Sequence, residues 1–454
     1  MSARPGSRGR LALTVAVTAI VSIVCCVLAP LRELSGDTVP GRVGAAVLRC
    51  GGDFDLSRVD WIRKETDRNR MFYYMQPDEA DEYSSIFGPV PAVVGAIALL
   101  DFGSGDTIDD ATLRKRERYA AALLVGLAVV LLTLAAAARC GLARSALVGG
   151  VAAASFAGAA TLGQGLWQAT TALPFLVGAV TTLAWRPRFP RLALVTPALL
   201  LLAVMMRPTI APIALGIGLA WTVGIRSWRA WAAAAAIALV AAAPLVAWNL
   251  VHLWSPFPVG QWHGNTRVNE TVFSIKHVGV AVGGLLVSPG RGLLWFAPIV
   301  VVGVVRAVRS KQRALRWIAG GVVLQLLAMS AFFKWHGGLA FGPRLLAEAS
   351  WIGIWLALGT GLEFRGRVSR VVTGAAVAVT IVVGQLGLWR FETEQWETRR
   401  RPEAHQEAFW DFVDSPIGAT LTSSDGQPRA HDSPPVASLT CDDRGRLRSA
   451  PRGR

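Results

Sequence analysis

Long apolar segments recur along the chain from Leu11 to about Trp389, with polar stretches between them. Most hold about 16 to 22 residues, which as a helix is enough to cross a hydrocarbon core of roughly 30 Å. We count about eleven such segments, at residues 11–28, 118–138, 145–163, 169–185, 190–206, 209–224, 230–250, 291–307, 316–333, 344–361 and 369–389. The pattern predicts an all-α polytopic membrane protein whose transmembrane domain covers residues 11–390.

Arginine and lysine occupy one set of the stretches between these segments. The basic stretches are 139–144, 186–191, 226–229, 306–316 and 365–370, and Glu363 is the only acid beside them. Because positive charge resists translocation, these stretches and the basic residues 1–10 are predicted to be cytoplasmic. Alternation then places four regions on the outer side of a cell membrane: 31–117, 251–290, the turn at 334–343, and the C-terminal segment 391–454.

The composition agrees with this topology and excludes two other classes of protein. With 53% hydrophobic and 17% charged residues and a mean hydropathy of +0.43, the chain is unlike a single soluble domain. The net charge of +16 lies mostly in the short cytoplasmic stretches, where topology and anionic headgroups account for it, so no nucleic-acid partner is expected. The first apolar segment is too long for a signal peptide, and we expect it to remain as an anchor.

The region 31–117, the first outer loop, holds 16 of the 30 acidic residues. Asp37 lies a few residues beyond the first segment, near the predicted membrane surface, where a carboxylate can act on a lipid headgroup. The loop also has aromatic residues that suit the headgroup level: Trp61, Phe72, Tyr73 and Tyr74. Two carboxylates near a phosphate supply a general base and a metal ligand, so Asp37 with Glu82 or Asp81 is the candidate set. The alternative is a solvated cap without chemistry.

Residues 86–100 form a shorter apolar stretch inside this loop, with Pro89 and Pro91 near its start. Its length predicts an interfacial or re-entrant helix rather than a span. If it crossed the membrane, every later loop would change sides and the arginine-rich stretches would lie outside. The charge pattern argues against that arrangement.

Two glycine-containing turns on the outer side carry cations. In LLVSPGRGLLWFAP (285–298), Arg291 stands at the start of a predicted helix, which suits either a phosphate contact or a snorkelling arginine. In FKWHGGLAFGPRLL (333–346), the turn carries a cluster of polar and aromatic residues before Arg344: Lys334, Trp335 and His336. Glu348 is at i,i+4 from Arg344, so the two are predicted to pair inside the bilayer, as a clamp or as part of a site.

Two further outer positions have a plain explanation. Trp167 in GQGLWQ (163–168) fits an interfacial anchor, with sugar stacking as the alternative, and Arg207 in the RPT turn is expected only to mark a hairpin between two segments.

His263 and His277 are spaced too loosely to indicate a zinc site. Cys50 and Cys441 both fall on the predicted outer side, which would allow a disulfide. The chain from about residue 420 has no periodicity and is predicted to be disordered.

Three of these elements resemble the GT-C class of integral-membrane glycosyltransferases, in particular the bacterial group related to protein O-mannosyltransferases and aminoarabinose transferases. They are Asp37 in its GD-x-x-P context, the SPGRGLLWFAP turn, and WHGGLAFGPRLL, which is similar to a W-W-G-G-x-x-F-G-P-R pattern. The resemblance covers nearly the whole chain. His336 stands where the pattern has a second Trp, and DEADEYSSIFGP (78–89) is more acidic than the pattern.

The resemblance implies a polyprenyl-phosphate-linked sugar as the donor and an envelope glycan, lipid or protein as the acceptor. Asp37 would be the general base. The resemblance implies that Arg344 and Arg291 bind the donor phosphate. Beside it, the residues themselves make Lys334 a further candidate for the phosphate, and Glu82, Asp81, Trp335, His336 and Trp167 candidates for the substrate. Any divalent cation, Mg²⁺ or Mn²⁺, would bind at Asp37 and Glu82. Three alternatives stay open: a transporter or flippase of lipid-linked sugars, a sugar-polymer ligase or polymerase, and a scaffold without catalysis.

Overall fold

The computed structural model describes residues 5–31, 36–66, 75–77, 82–225, 227–257, 272–338, 340–362, 366–390, 396, 406–422 and 436–451. Within them the chain is mainly helical, as predicted. The helices, numbered in chain order, are α1 Pro5–Leu28, α2 Val39–Gly51, α3 Asp60–Thr66, α4 Val90–Ile97, α5 Asp110–Ala137, α6 Leu142–Ala154, α7 Gln168–Trp185, α8 Thr196–Met206, α9 Ala211–Thr222, α10 Trp228–Leu253, α11 Val278–Val287, α12 Leu293–Phe296, α13 Pro298–Arg309, α14 Arg313–Ala331, α15 Ala347–Ile354, α16 Gly366–Arg390 and α17 Pro416–Thr422.

Five helices in the described ranges are long and apolar enough to cross a membrane: Gly9–Leu28, Asp110–Ala137, Trp228–Leu253, Arg313–Ala331 and Gly366–Arg390. A sixth candidate is the pair Leu142–Ala154 and Phe156–Gln164, which is bent by 43°. The predicted count of about eleven is therefore not confirmed. Other apolar segments are interrupted as well: Pro298, inside the segment 291–307, lacks the N–H that an uninterrupted helix needs.

Small residues let the helices of the apolar bundle approach closely. A Cβ on Gly216 of α9 would lie 2.6 Å from the Cα of Gly321 of α14, and a Cβ on Gly303 of α13 would lie 2.2 Å from the carbonyl oxygen of Gly353 of α15. Such contacts are typical of helices that pack in a lipid environment, where close van der Waals contact replaces the hydrophobic effect.

The predicted cytoplasmic stretches meet at one end of this bundle. Arg306 donates hydrogen bonds to the carbonyl oxygens of Ala357 (2.9 Å) and Leu362 (2.6 Å), and Arg144 donates to the same Leu362 oxygen (2.9 Å). Arg139 donates to the side chain of Gln312 (3.2 Å). Two of the arginine-rich stretches, 139–144 and 306–316, thus lie together at one end of the molecule beside Leu362, in agreement with the charge pattern.

A second, smaller core belongs to the first outer loop. We call residues 36–109 together with 436–451 the loop domain, with the gaps noted above. Strands β1 Met75–Pro77 and β2 Tyr83–Ser85 form a hairpin, and β3 Thr107–Asp109, β4 Val436–Cys441 and β5 Leu447–Pro451 form an antiparallel sheet in the order β3-β4-β5. Apolar side chains on both parts of the chain, including Val47, Ile62 and Leu439, are buried together.

The end of the chain corrects one prediction and supports another. Residues 436–451 are not disordered, because β4 pairs with β3 and a disulfide joins Cys50 to Cys441. The disulfide that two outer cysteines would allow is therefore formed. It also places the C-terminal strands on the same side of the molecule as the first outer loop, which is what the topology requires.

Removing this disulfide should destabilise the loop domain. The Cys50→Ser/Cys441→Ser variant is expected to lose about 2–5 kcal/mol of unfolding free energy, because the cross-link restricts a long loop in the unfolded chain. The loss would appear as a lower midpoint in thermal unfolding of the purified protein. Cys140→Ser, which removes a free thiol elsewhere, is the matched control. Equal midpoints for the double variant and the wild type would show that β4 and β5 hold without the cross-link.

Helix α4 occupies the stretch whose length predicted an interfacial or re-entrant element. It has eight residues, Val90–Ile97, too few to cross a membrane. Glycines bring it against α2, since a Cβ on Gly95 would lie 2.7 Å from the Cβ of Ala45 and one on Gly41 would lie 2.9 Å from the Cβ of Pro91. Helix α2 starts directly after the turn that holds Asp37, so this packing fixes the position of the candidate base.

Candidate functional site

Asp37, the predicted general base, and Arg344, a predicted phosphate ligand, lie next to each other. The Nη1 atom of Arg344 lies 2.7 Å from Oδ2 of Asp37. Asp37 belongs to a single 3-10 turn, Gly36–Thr38, and Arg344 to another, Arg344–Leu346, which leads into α15. The turn before Arg344 needs glycine, because Gly337, Gly338 and Gly342 all have positive φ angles (80°, 62° and 78°). The backbone conformation of the two turns thus places the charged side chains of Asp37 and Arg344 next to each other.

Trp167 forms a platform for Arg344. The guanidinium carbon of Arg344 lies 4.4 Å from the centre of the Trp167 ring, a distance at which the cation is attracted to the ring face. The indole is buried, with 3% of its surface exposed, and its Nε1 donates a hydrogen bond to the carbonyl oxygen of Thr161 at 3.1 Å. Trp167 therefore orients the arginine that we expect to bind phosphate. Its predicted stacking on a sugar stays a prediction.

Glu348 pairs with Arg207 rather than with Arg344. Nε of Arg207 lies 2.8 Å from Oε1 of Glu348. The predicted i,i+4 pair does not form because α15 begins only at Ala347, so Arg344 and Glu348 are not on the same α-helix. The expectation that Arg207 only marks a hairpin is also wrong, since the break at Pro208 turns the chain and leaves Arg207 6% exposed.

These four charged residues form one group, which we call the charge quartet: Asp37, Arg344, Arg207 and Glu348. The charges of Asp37 and Arg344 both act on Arg207, and the quartet has two cations and two anions. Side-chain exposure falls from 25% at Asp37 and 11% at Arg344 to 8% at Arg207 and 1% at Glu348. Asp37 is therefore the member that an incoming substrate can reach most easily.

Sequence reasoning missed Arg207 as a member of this group. The available signal was its context: an arginine followed directly by proline, between two apolar segments, with no polar loop into which the side chain could extend. An arginine in such a position must find a partner inside the protein, because a lone charge there is costly.

Arg291 is fully buried and holds the turn that precedes Arg344. It donates hydrogen bonds to the carbonyl oxygens of His336 (2.7 Å), Gly338 (3.0 Å) and Gly290 (3.0 Å). The rings of Trp396 and Phe409 lie 5.5 and 5.3 Å from its guanidinium carbon. These contacts give Arg291 a positioning role, and its direct contact with a phosphate stays a prediction that this packing does not favour.

Trp335 and His336 also lie in the packed interior. Trp335 is 1% exposed, and its ring occupies the space where a Cβ on Gly284 would be, at 2.4 Å. Nδ1 of His336 accepts a hydrogen bond from the N–H of Gly338 at 3.3 Å. Their predicted role in substrate binding is untested, and the tight packing does not favour it.

Burial lowers the pKa of His336 to about 3, and the positive charges of Arg291, Lys334 and Arg344 act in the same direction. In the folded protein the imidazole stays neutral, whereas the unfolded chain takes up a proton below about pH 6.5. Stability should therefore fall as the pH drops from about 6.5 towards 3, by up to about 1.4 kcal/mol per pH unit. His336→Asn keeps an acceptor for the Gly338 N–H and should flatten this slope.

Thermal unfolding midpoints of the wild type and His336→Asn, recorded from about pH 7.5 to about pH 4.5 across the range in which a free imidazole titrates, would measure the difference. His277→Asn controls for the loss of an imidazole elsewhere on the predicted outer side, where its Nε2 is 3.2 Å from the carbonyl oxygen of Phe332. A wild-type slope that persists in His336→Asn would mean that other groups cause the acid sensitivity.

The structure gives fewer contacts for the remaining predicted site residues, Lys334, Glu82 and Asp81. Lys334 is half-buried in the turn before Arg344, with its Nζ 5.9 Å from the centre of the Phe333 ring. Glu82 directly precedes strand β2. The first two residues of that strand make contacts: the N–H of Tyr83 donates a hydrogen bond to the carboxylate of Asp55 (3.0 Å), and the hydroxyl of Ser84 lies 3.0 Å from Nδ1 of His252. Asp81, like Asp78, Glu79 and His263, lies outside the described residues.

The described residues do not fit a metal centre at Asp37. Its carboxylate faces a guanidinium, and no three histidine, cysteine or acidic side chains come together within the ranges that the structure describes. A hard divalent cation would need several oxygen ligands in place of that cation.

No protein-family model matches the sequence, and no curated protein matches it significantly. The structure aligns with solved membrane glycosyltransferases. An archaeal oligosaccharyltransferase, AglB from Archaeoglobus fulgidus with an inhibitory peptide and a dolichol-phosphate, is 13% identical with a TM-score of 0.46, over 93% of this chain and 61% of that one. An Archaeoglobus fulgidus oligosaccharyltransferase in complex with Zn and sulfate is 15% identical with a TM-score of 0.48, over 92% of this chain and 59% of that one.

The mycobacterial arabinofuranosyltransferase AftD aligns at 14% identity with a TM-score of 0.36, over 87% of this chain and 29% of that one. Both proteins are GT-C glycosyltransferases, the class that the sequence motifs resemble. This chain spans about 60% of the length of the oligosaccharyltransferase. The similarity is too distant to assign a donor, an acceptor or a residue role.

Proposed function

We propose that the chain is a membrane glycosyltransferase that moves a sugar from a polyprenyl-phosphate donor to an acceptor on the outer side of the membrane. The observation that carries the proposal is the ion pair between Asp37 and Arg344 at 2.7 Å. It joins a carboxylate that can accept a proton to a cation that can hold a phosphate. Both come from segments next to apolar helices, where a lipid-borne substrate would approach.

The reaction needs two functions that this pair can supply. Asp37 accepts the proton of the acceptor hydroxyl as the hydroxyl oxygen bonds to the anomeric carbon of the sugar. The bond between that carbon and the phosphate oxygen breaks, and the electron pair stays on the departing polyprenyl phosphate. Arg344 stabilises the negative charge that develops there. The products are the glycosylated acceptor and the free lipid phosphate, with the proton on Asp37.

One arginine can serve both the base and the phosphate. A guanidinium has five N–H donors in a planar fork, so Nη1 can face Asp37 while other donors face an anion. The guanidinium carbon of Arg344 also lies over the Trp167 ring, which helps to hold the side chain in place. The arrangement holds the base and the phosphate ligand within the length of one sugar, which transfer by direct displacement requires.

Two of the alternatives predict a different fate for the donor. A flippase moves the lipid-linked sugar across the membrane and leaves its bond to phosphate intact, and a scaffold leaves the donor unchanged. A ligase or polymerase shares the donor chemistry and differs only in the acceptor, which can be read from the product. The closeness of a base and a phosphate ligand favours bond cleavage over transport.

The proposal is tested with purified protein in lipid nanodiscs, a panel of polyprenyl-phosphate sugars, and mixed envelope glycans, lipids and proteins as acceptors. We expect at least one donor to yield free polyprenyl phosphate together with a glycosylated acceptor. The same donors in proteoliposomes test for translocation. Movement of the intact donor between leaflets, without cleavage of any donor by folded protein, would replace the transferase with a flippase.

A further inference from the structure

We propose that Arg207, held by Glu348, is the inner half of an anion site whose outer half is Arg344, and that the phosphate of a polyprenyl phosphate binds to both arginines. The inference rests on the proposed function, and it adds a second phosphate ligand and a residue that positions it. Neither Arg207 nor Glu348 was a candidate substrate contact from the sequence.

The burial of Arg207 and Glu348 is the first reason. Arg207 is 6% exposed and Glu348 is 1% exposed, and both lie among apolar residues such as Ala347 and Ile210. A buried ion pair contributes little to stability, because removing two charges from water costs about as much as their attraction returns. Charged residues within an apolar bundle are more often kept for binding or transport than for stability.

The second reason is a set of buried polar atoms that form no hydrogen bond with the residues that the structure describes. In the charge quartet they are Nε of Arg207, Nε and Nη1 of Arg344, and both carboxylate oxygens of Glu348. The ion pairs bring opposite charges together without aligning an N–H bond on a carboxylate oxygen. Neighbouring positions in the chain add Nε2 of Gln168 and Oγ1 of Thr209. Buried donors are nearly always satisfied in proteins, so the unsatisfied donors of Arg207 and Arg344 indicate a place for an acceptor such as a phosphate or water, whereas the Glu348 oxygens are acceptors and do not add to this reason.

The third reason is electrostatic. Arg344 lies close enough to Arg207 for the two positive charges to repel each other. Glu348 offsets one of these cations and Asp37 the other, so the quartet is neutral. A phosphate that bridged the two guanidinium groups would relieve their repulsion and form charge-assisted hydrogen bonds with both. Arg207 would then share its donors between Glu348 and the phosphate.

A structural clamp is the competing explanation for Arg207 and Glu348. In that case the pair only ties the break between α8 and α9 to the start of α15. The two explanations differ in what happens when both charges are removed together, because the double variant has no unpaired buried charge. A clamp predicts that stability and ligand affinity recover together, whereas an anion site predicts that stability recovers and affinity does not.

The experiment uses the full chain in nanodiscs with Arg207→Gln, Glu348→Gln and the double variant. The probe is geranylgeranyl monophosphate, with geranylgeraniol as its uncharged counterpart and inorganic phosphate as the headgroup alone. Thermal unfolding reports stability, and titration with the probe reports affinity. Arg306→Gln, which removes a half-buried arginine far from the charge quartet, controls for the loss of an arginine as such.

We expect each single variant to unfold at a lower temperature and the double variant to recover most of that loss. The affinity of the double variant for geranylgeranyl monophosphate should stay at least about tenfold weaker than that of the wild type, the effect of losing one hydrogen bond to a charged group. Its affinity for geranylgeraniol should not change. Arg207→Lys should keep part of the affinity, since it keeps the charge without the planar fork.

Two results would overturn the inference. One is a double variant that binds the lipid phosphate as tightly as the wild type. The other is an equal loss of affinity for geranylgeranyl monophosphate and geranylgeraniol, which would indicate a change in the lipid-tail contacts. Arg344→Gln separates this failure from failure of the proposed function. If Arg344→Gln weakens phosphate binding and the double variant does not, only the role of Arg207 is wrong. If neither weakens it, the donor site itself is elsewhere.

Discussion

Asp37→Asn should lower the rate of sugar transfer by about 10²- to 10⁴-fold, the usual contribution of a general base. The amide has nearly the same shape as the carboxylate but cannot accept the acceptor's proton. Donor affinity should stay equal or rise, because Arg344 loses the carboxylate that lies 2.7 Å from its Nη1. The measurement is kcat for the donor found to be active, together with the Kd of that donor for each protein.

Asp101→Asn is the matched control for Asp37→Asn. Asp101 is another ion-paired aspartate of the first outer loop, bonded to Arg116, and it is not part of the charge quartet. Its variant should transfer sugar at the wild-type rate. If Asp37→Asn keeps full activity in folded protein, Asp37 is not the base. If both variants fail together, the loop domain rather than the carboxylate is the cause.

Arg344→Gln should weaken donor binding by roughly 30-fold or more, which corresponds to about 2–5 kcal/mol for truncating one partner of a buried charge pair. The side chain is 11% exposed, so water cannot readily replace its hydrogen bonds to a phosphate. The variant should also transfer sugar slowly at saturating donor, because the departing phosphate loses its cation. Titration of the donor and saturation kinetics measure the two effects separately.

Arg344→Lys and Arg116→Gln are the comparisons for this variant. Lysine keeps the charge but not the fork or the stacking on Trp167, so Arg344→Lys should fall between the wild type and Arg344→Gln. Arg116→Gln removes the arginine of the control ion pair and should leave donor binding unchanged. Unchanged affinity in Arg344→Gln would contradict its role as a phosphate ligand.

The sequence placed Asp37 and Arg344 in one predicted substrate site because topology restricts where charges can meet, but it did not predict that the two would form an ion pair. Both residues directly flank apolar segments, and the positive-inside rule places those flanks on the same side. The short helix α4 and the shared end of the arginine-rich stretches followed from the same reasoning. Segment length and charge can be read from the local sequence, so predictions based on them do not require knowledge of the tertiary contacts.

Features that depend on tertiary contacts or local helix geometry were not predictable. Glu348 was expected to pair with Arg344 because i,i+4 spacing assumes one continuous helix, and the 3-10 turn at Arg344–Leu346 breaks it. The strands in residues 436–451 have little periodicity of their own and are ordered by β3 and the disulfide at Cys50. The count of about eleven spans is not confirmed, because proline or a bend divides several apolar segments, as the bend at Ser155 does.

The most direct test of the central claim is a single-turnover measurement that follows a labelled sugar on the lipid. Wild-type protein and Asp37→Asn are loaded with the same polyprenyl-phosphate sugar and then mixed with acceptor. We predict that the wild type moves the label from the lipid to the acceptor, while Asp37→Asn holds the donor and leaves the label on the lipid. Transfer by Asp37→Asn at the wild-type rate would contradict the assignment of the Asp37–Arg344 pair as the site of sugar transfer.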